Sequence, residues 1–275
     1  MPPARSQKIQ RAASFQTFHL MNTNPITEPP LQNGAITIDQ LAVYLGWSTR
    51  SIMALVRDAH LPTIELAGKR SFRLNDVLDW VEQNMQLIDS TQVSELEAKM
   101  ESSLLEQGVF RTLRTDRLTS RLPIAGIALD VPLTNKLELL GGIGRLADST
   151  GLLYDRNHLI ASLVDRESLC STAMPGGVAL CHPRRPIPSI IERQFLCFLR
   201  TARPLDFGAE DGSATSLFFL LCTPDDRSHL HGLARLARIL HGGTLDLLKS
   251  AANPEDILAV LAEAESKIQT NAQQI

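Results

Sequence analysis

The stretch TSLFFLLCT, residues 215–223, is apolar at most of its positions and has the length of a single β-strand. A short apolar run without polar alternation is typical of a strand that is covered on both faces of its sheet. We therefore expect this strand to be central. Two further apolar runs, GGVALC at 176–181 and QFLCFLR at 194–200, are expected to be strands of the same sheet.

Amphipathic segments lie on both sides of these strands along the chain. Residues 134–151 and 155–169 precede them with apolar side chains at helical spacing, and residues 229–242 and 253–267 follow them in the same way. Helices that alternate with apolar strands indicate an α/β domain. The sequence thus predicts, over residues 121–270, a mixed sheet flanked by helices on both faces.

Composition limits the function classes. The chain has 275 residues, 44% of them hydrophobic, and a net charge of −3, which argues against a generally basic nucleic-acid binder. Its four cysteines form no CxxC pair, as expected of reduced thiols. The apolar runs are too short for a membrane span, and the first twenty residues lack the apolar core of a secretory signal. We expect a cytoplasmic protein with no membrane segment and a disordered tail over 1–33.

The amino-terminal part, residues 34–87, predicts a small separate module. TIDQLAVYLG, at 37–46, has a capping threonine, helical spacing and a terminal glycine, and a second helix is expected to begin at Ser48 or Thr49. Two short β-like runs around Ala67-Gly68-Lys69 predict a hairpin, and a third helix follows from Asn75. Residues 88–120, rich in Ser, Thr, Glu and Arg, are expected to form a linker that includes a solvated helix.

The order helix, turn, helix, hairpin, helix is that of a winged helix-turn-helix, which places its second helix in the DNA major groove. The candidate DNA-binding residues are Thr49, Arg50, Lys69, Arg70 and Arg73. The segment resembles the excisionase/MerR-type family in Leu-Ala-x-Tyr-Leu-Gly at 41–46, Ser-x-Arg at 48–50, Gly-Lys-Arg at 68–70 and Asp-Val-x-x-Trp at 76–80. Residues 34–86 nevertheless sum to a formal charge of −1, so a dimer or a protein-contact module stays an alternative.

A histidine, His182, ends the apolar run GGVALCHPRRP at 176–186. From the residues alone it could be a structural histidine that donates to a backbone carbonyl, a metal ligand, or a partner of a Cys181 nucleophile. Alternation along a strand directs Cys181 and His182 to opposite faces, and His229 and His231 diverge on a helix. These spacings disfavour a metal site and a Cys–His pair, so we predict no metal and no cofactor.

The wider segment resembles the enzyme IIA domain of the fructose/mannitol and nitrogen-related branch of the bacterial phosphotransferase system. The likeness runs from about residue 137 to 264, through Arg166-Glu167, Thr172, Gly-x-Ala at 177–179 and His229-Leu230. The resemblance implies that His182 accepts a phosphoryl group from a histidine phosphocarrier protein, with Arg166 and His229 beside it. Thr172 is expected to bind the phosphate.

The chemistry of these residues agrees with that role. A neutral imidazole is a nucleophile at neutral pH, and an arginine can neutralise the equatorial oxygens of a phosphoryl group. The chain departs from the family pattern in having Cys181 before the histidine and Pro183 after it. Pro183 removes a backbone N–H; Arg184 is expected to compensate at the phosphate or, with Arg185, to dock a partner. We expect the His182 imidazole to be open to solvent at the end of its strand.

The sequence therefore predicts a regulatory phosphocarrier joined to a DNA-binding module. Its expected partners are a histidine phosphocarrier protein, DNA, and a regulatory or transporter protein that accepts the phosphoryl group. The alternative is a transcription regulator whose IIA-like domain senses phosphorylation without passing the group on. The donor, the acceptor, the DNA site and the oligomeric state are not specified by the sequence.

Overall fold

The computed structural model describes residues 34–85, 88–106, 117–240 and 243–271. The tail predicted over residues 1–33 lies outside these described ranges.

The amino-terminal module begins with a short strand and two helices. Thr37 caps the first helix: its hydroxyl accepts from the Gln40 N–H, while the Gln40 side chain accepts from the Thr37 N–H. Gly46 ends that helix at a φ of 75°, a conformation that favours glycine, and Ser48 caps the second helix. The elements are β1 (Ala35–Ile36), α1 (Ile38–Leu45), α2 (Thr49–Asp58), β2 (Ile64–Leu66), β3 (Lys69–Arg73) and α3 (Leu74–Asn84).

The segment expected to be a solvated linker contains α4 (Ser90–Glu106), and this helix is packed rather than solvated. Leu96, Met100 and Leu104 are fully buried, and α4 packs against both α1 and a long helix of the second domain. The Trp47 indole N–H also donates to the Gln92 carbonyl at 2.8 Å. The prediction of a solvated helix is wrong, because its one apolar stripe has partners in two distant parts of the chain.

The second domain is built on a five-stranded mixed sheet of order β4-β7-β8-β6-β5. The pairs β4/β7 and β6/β8 are parallel, and β7/β8 and β5/β6 are antiparallel. The predicted central position of residues 215–222 is confirmed. The elements are β4 (Ile127–Val131), α5 (Lys136–Ser149), α6 (Arg156–Leu169), β5 (Ala173–Met174), β6 (Val178–Cys181), β7 (Phe195–Leu205), β8 (Thr215–Cys222), α7 (Asp226–Ile239), α8 (Thr244–Ser250) and α9 (Pro254–Asn271).

Helices cover both faces of this sheet, as predicted for a mixed α/β domain. Phe218 packs on the face that α5 and α6 cover, and its neighbour Phe219 packs on the opposite face with α7. On that second face the buried cluster continues without a break from the sheet through α7 and α4 to α1. The amino-terminal module therefore shares a hydrophobic core with the α/β domain. No helix within the described ranges is long and apolar enough to cross a membrane.

A buried ionic cluster fixes α4 to the second domain. The Arg235 guanidinium of α7 donates to Glu97 of α4 and, at 3.0 Å, to Glu265 of α9. Arg238 donates to the second oxygen of Glu97. Glu265 also accepts from the backbone N–H of Leu118 at 2.8 Å. Two guanidinium groups thus hold carboxylates from separate helices, and α4 cannot leave α7 without exposing buried charges.

Candidate active site

His182 is the first residue after β6, at the edge of the sheet where β6 and its parallel neighbour β8 both end. The chain leaving β8 passes through Thr223 and enters α7, which carries His229 in its first turn. Side chains at the carboxyl ends of parallel strands converge in this way. The two imidazole rings lie edge to face, with their centroids 5.0 Å apart.

Hydrogen bonds define the state of the His182 ring. Its Nδ1 lies 2.7 Å from the Leu180 carbonyl, which can only accept, so Nδ1 carries the proton. Its Nε2 accepts from the Nε–H of Arg166 at 3.1 Å and is therefore the nitrogen with the free electron pair. His182 is thus a neutral imidazole whose nucleophilic nitrogen faces a guanidinium.

Arg166 is fixed from the last turn of α6. Its Nη1 donates to the Cys170 carbonyl at 3.0 Å, just beyond the end of the helix, and the side chain is buried. The neighbouring Glu167 accepts from Lys136 at 2.9 Å. A buried arginine with a fixed stem offers planar donors to an anion at His182 with little further loss of side-chain freedom.

His229 presents its second nitrogen to the same place. Asp225 caps α7 by accepting from the Ser228 N–H at 2.9 Å, and the His229 Nδ1 lies 3.1 Å from the Thr223 hydroxyl. If that hydroxyl donates to Nδ1, the proton of the neutral ring is on Nε2. The His229 Nε2 is buried and has no hydrogen-bond partner among the described residues. A buried donor without a partner is expected at a site that binds an anion.

Glu82 of the amino-terminal module enters this site from α3. Its Oε2 lies 3.7 Å from the His182 Nε2 and its Oε1 lies 3.6 Å from the His229 Nε2. The side chain of Glu82 is only 4% exposed, and His182 itself is 2% exposed. The expectation that His182 stands open to solvent is therefore wrong, because a carboxylate from another part of the chain covers it.

Burial sets the ionisation of these groups. Desolvation, followed by the Arg166 charge, lowers the pKa of His182 to about 3. Desolvation lowers the pKa of His229 to about 4, although the carboxylate of Glu82 opposes that shift. Burial raises the pKa of Glu82, with His229, Arg185 and Arg166 opposing. Both imidazoles are thus neutral at pH 7, and their contacts with Glu82 are not ion pairs.

Two arginines that follow His182 bind the same helix. Arg184 donates to Asp79 of α3 at 2.9 Å, and Arg185 lies 2.8 Å from the other Asp79 oxygen. Arg185 also donates to the Asn75 carbonyl at 3.0 Å. Arg184, predicted to bind phosphate, is therefore engaged with Asp79 instead, because α3 offers it a carboxylate.

Thr172, also predicted to bind phosphate, lines a small cavity of about 30 Å³ beside His182. Its hydroxyl donates to Glu167 at 2.7 Å, and its backbone N–H donates to the same oxygen at 3.1 Å. An ionised carboxylate only accepts, so the single hydroxyl proton is already used. Thr172 orients Glu167 in this arrangement and has no proton left for a phosphate.

The other chemistries considered for this segment find little support in the geometry. Burial raises the pKa of Cys181 to about 12, so its thiol stays protonated and is no nucleophile. Glu82, His182 and His229 are close enough together to share a metal ion. The electron pair of His182 that a metal would need, however, accepts the Arg166 N–H. His231 is not part of this group of side chains; it lies near Glu97 and Glu101 of α4.

The candidate DNA-binding residues lie on α2 and on the hairpin, and all five are exposed: Thr49, Arg50, Lys69, Arg70 and Arg73. Arg70 of β3 contacts the Met53 sulfur of α2 at 3.8 Å, which brings the hairpin next to the exposed side of α2. Arg73 lies 4.0 Å from Asp76, which offsets part of its charge. None of the five belongs to the site around His182.

Sequence reasoning missed the acidic face of α3, which we define as Asn75, Asp79 and Glu82. These residues are spaced i, i+4, i+7 and so share one side of the helix. That spacing, together with the Arg184-Arg185 pair after His182, is the signal that could have indicated the contact. In the sequence analysis, Glu82 enters only through the formal charge of −1 of residues 34–86.

Comparison with known proteins agrees with the architecture of the second domain. The family model described as "Phosphoenolpyruvate-dependent sugar phosphotransferase system, EIIA 2" matches residues 122–264, just over half of the chain. A nitrogen regulatory protein of Bradyrhizobium diazoefficiens is 38% identical over 103 residues, which are 36% of this chain and 65% of that protein. A fructose-specific EIIA component of Haloferax volcanii is 26% identical over 144 residues, 51% of this chain and 92% of that protein.

Among solved structures, the nitrogen regulatory protein IIA-Ntr of Neisseria meningitidis is similar to this chain. It has 27% sequence identity and a TM-score of 0.46, over 52% of this chain and 97% of that one. The matched residues 122–264 include the whole sheet and the strand-end histidine. By the extent of the family match, this chain belongs to the EIIA 2 family of the phosphoenolpyruvate-dependent sugar phosphotransferase system.

Proposed function

We propose that this protein is a regulatory phosphocarrier in which the His182 Nε2 accepts a phosphoryl group from a histidine phosphocarrier protein. The observation that carries the proposal is the convergence of a neutral imidazole, a buried guanidinium and a second imidazole at one strand end. Membership of the EIIA 2 family supports it. The domain division is proposed as 34–87 for the small module and 121–270 for the phosphoacceptor domain.

The transfer uses groups that are already in place. The electron pair of the His182 Nε2 forms a bond to phosphorus as the P–N bond of the donor's phosphohistidine breaks, and the donor nitrogen leaves with that bonding pair. The His182 Nδ1 keeps its proton throughout and donates a hydrogen bond to the Leu180 carbonyl. Arg166, released from Nε2, and the His229 N–H are the groups proposed to neutralise the phosphoryl oxygens.

The test is the transfer of label from a ³²P-labelled histidine phosphocarrier, measured as acid-labile protein-bound phosphate. Wild type is expected to take up label, and His182→Ala is expected to take up none. His158→Ala is the matched control, since His158 is an exposed histidine on α6. Label that survives in His182→Ala would contradict the assignment. We further expect Arg166→Gln to slow uptake by about 10²-fold, the scale reported for removing a donor to a developing anion.

DNA binding by the amino-terminal module is the second part of the proposal. It is supported by the exposed positions of Arg50 on α2 and Arg70 on β3, and by the contact of Arg70 with Met53 of α2. These arginines are proposed to contact the major groove and the phosphates respectively, in the manner of an excisionase/MerR-type winged helix. The free state of all four cysteines suits a reducing compartment, so we propose a cytoplasmic protein.

Binding to a mixed-sequence DNA duplex at low salt tests this part. The double variant Arg50→Ala, Arg70→Ala is expected to lose about tenfold or more in affinity and to show a shallower salt dependence. Arg193→Ala is the control, because Arg193 is an exposed arginine of the other domain. Equal binding by all three proteins would remove the DNA-binding part and leave the phosphocarrier proposal standing.

The covering of His182 by Glu82 favours a second function, that of a regulator that senses phosphorylation without onward transfer. A site closed by its own chain is unsuited to rapid relay between two proteins. The measurement is the lifetime of the label on His182 in the presence of a transporter-type acceptor protein. Rapid loss of label to the acceptor indicates a carrier, and retention of label indicates a sensor.

A further inference from the structure

The acidic face of α3 occupies the phosphoacceptor site. The Glu82 carboxylate places one oxygen 3.7 Å from the His182 Nε2 and the other 3.6 Å from the His229 Nε2. Atoms about to react are brought to about 3–3.5 Å from one another. The carboxylate thus lies within a few ångströms of the nitrogen that an incoming phosphorus atom must approach.

The surroundings of Glu82 are those of an anion site. The Arg166 guanidinium bonds to the same Nε2, the Arg185 Nη1 lies 4.0 Å from the Glu82 Oε1, and the His229 Nε2 has no other described partner. A carboxylate and a phosphoryl group both present oxygens that accept from such donors. Glu82 is therefore close to the same donors that the phosphoryl oxygens of a phosphorylated His182 would need.

Two arginines clamp α3 in this position. Arg184 and Arg185 both reach Asp79, which is one turn of helix before Glu82. They follow His182 by two and three residues, so the loop after His182 also holds the two arginines that bind α3. Arg227 of α7 lies over the Tyr44 ring of α1, 5.9 Å from its centroid, as a further contact between the two domains.

Glu82 occupies an electrostatically unfavourable position in its contact with His182. Glu82 is in the last turn of α3, where the negative end of the helix dipole disfavours a carboxylate. It is also buried, which disfavours its charged form. Phosphorylation of His182 would add about −1.5 to −2 charges within a few ångströms of it, by analogy with other phosphorylated residues. Two like charges that close cannot share a buried site.

We infer that α3 is an intramolecular inhibitor of the phosphoacceptor site, with Glu82 as a stand-in for the phosphoryl group. The inference rests on the proposed function of His182 and names the regulation of that same site. The closed arrangement and phosphorylated His182 exclude each other, so a donor must displace α3, and phosphorylation then keeps α3 away. The five candidate DNA-binding residues are already exposed in the closed state.

The test compares initial rates of label uptake from the phosphorylated histidine carrier in the full-length protein. Glu82→Gln keeps the shape of the side chain without its charge, and Asp79→Ala removes the carboxylate that Arg184 and Arg185 share, without touching His182. Both are expected to accept label about five- to thirtyfold faster than wild type, the factor that corresponds to 1–2 kcal/mol. Glu65→Gln, an exposed glutamate on β2 of the same module, is expected to match wild type.

The label-uptake rates distinguish failure of the inhibition from failure of the phosphocarrier proposal. Rates in Glu82→Gln and Asp79→Ala that equal or fall below the wild-type rate overturn the inhibition and leave the phosphocarrier proposal intact. No label in any variant, Glu82→Gln included, overturns the proposed function and the inhibition with it.

Hydrogen exchange gives a second, independent measurement. Amides of residues 74–84 are expected to exchange faster after phosphorylation of wild type, and at an unchanged rate in His182→Ala treated in the same way. Unchanged exchange in a phosphorylated wild type would overturn the statement that phosphorylation displaces α3.

Discussion

At the scale of single residues, two contacts of His182 would oppose the proposed phosphoryl transfer in the closed arrangement. Its Nε2 accepts a hydrogen bond from Arg166, and the Glu82 carboxylate lies 3.7 Å from the same nitrogen. The same buried surroundings keep the ring neutral far below the ordinary pKa of histidine. Release of Glu82 would admit water, make the nitrogen accessible, and let Arg166 turn to an incoming phosphate.

Burial of the histidines predicts a pH dependence of stability. In the unfolded chain an imidazole binds its proton near pH 6.5, whereas in the folded state His182 and His229 do so only near pH 3 and 4. At a pH between the folded and the unfolded pKa, these histidines bind more protons in the unfolded state than in the folded state. The free energy of unfolding therefore falls as the pH falls below about 6.5. The slope is up to about 1.4 kcal/mol per pH unit for each such histidine, and the raised pKa of Glu82 opposes it.

Urea unfolding at pH 7.5 and at pH 5.5 measures this loss. His182→Gln is expected to lose about 1 kcal/mol less than wild type between the two pH values, since one depressed imidazole has been removed. The exposed His158 provides the control variant His158→Gln, which should follow wild type. The same pH dependence in all three proteins would show that burial of His182 does not couple to folding.

Much of the site was predictable residue by residue, since His182, Arg166 and His229 do converge. The end of an apolar run marked His182, which is a local property, whereas Arg166 and His229 were implied by the resemblance to the enzyme IIA domain. Glu82 could not be identified in that way, because its contact with His182 joins positions one hundred residues apart. The expected exposure of His182 was wrong for the same reason: solvent access is decided by a distant element.

At the scale of elements, α4 is the clearest departure from expectation. Its composition of Ser, Thr, Glu and Lys is that of a solvated helix, and its buried side chains form only a narrow stripe. Glu97 is fully enclosed, yet it is paired with two arginines of α7. A sequence pattern does not distinguish a buried glutamate that is paired with arginines from an exposed glutamate, so it could not predict this contact. The strands β6, β7 and β8 and the helices α5, α6, α7 and α9, in contrast, were predicted from local patterns: an unbroken apolar run for each strand and apolar side chains at helical spacing for each helix.

Truncation of a core side chain in α4 tests whether the helix is structural. Leu96→Ala is expected to lower the free energy of unfolding by about 2–5 kcal/mol, the cost of a cavity at a fully buried leucine. Glu95→Ala, an exposed neighbour on the same helix, should change it by less than about 0.5 kcal/mol. A small effect for both, measured by urea unfolding, is the result expected of a solvated linker and would contradict the packing described above.

At the scale of the whole molecule, the two domains share one hydrophobic cluster and are expected to unfold together. Both tryptophans of the chain, Trp47 and Trp80, are buried in the amino-terminal module. Tryptophan fluorescence therefore follows that module, while circular dichroism follows the helices of the whole chain. The two signals should give coincident urea transitions with one midpoint.

A module joined by a flexible linker would behave differently. Its fluorescence transition would separate from the circular dichroism transition, and a core truncation such as Ile52→Ala would shift the fluorescence midpoint alone. In the shared-core arrangement, Ile52→Ala in α2 and Leu233→Ala in α7 should lower the same single midpoint. Separate midpoints in either variant would contradict a common core.

The partnership of Glu97 with Arg235 has a consequence for synthesis on the ribosome, because the two residues are 138 positions apart. At 5–20 residues per second, α4 leaves the ribosome roughly 7 to 28 s before the helix that neutralises and covers it. During that interval its leucine and methionine side chains lack the surface that α7 provides in the folded protein, and α1 alone covers only part of them. The nascent amino-terminal third of this protein should therefore be a client for ribosome-associated chaperones until α7 has been made.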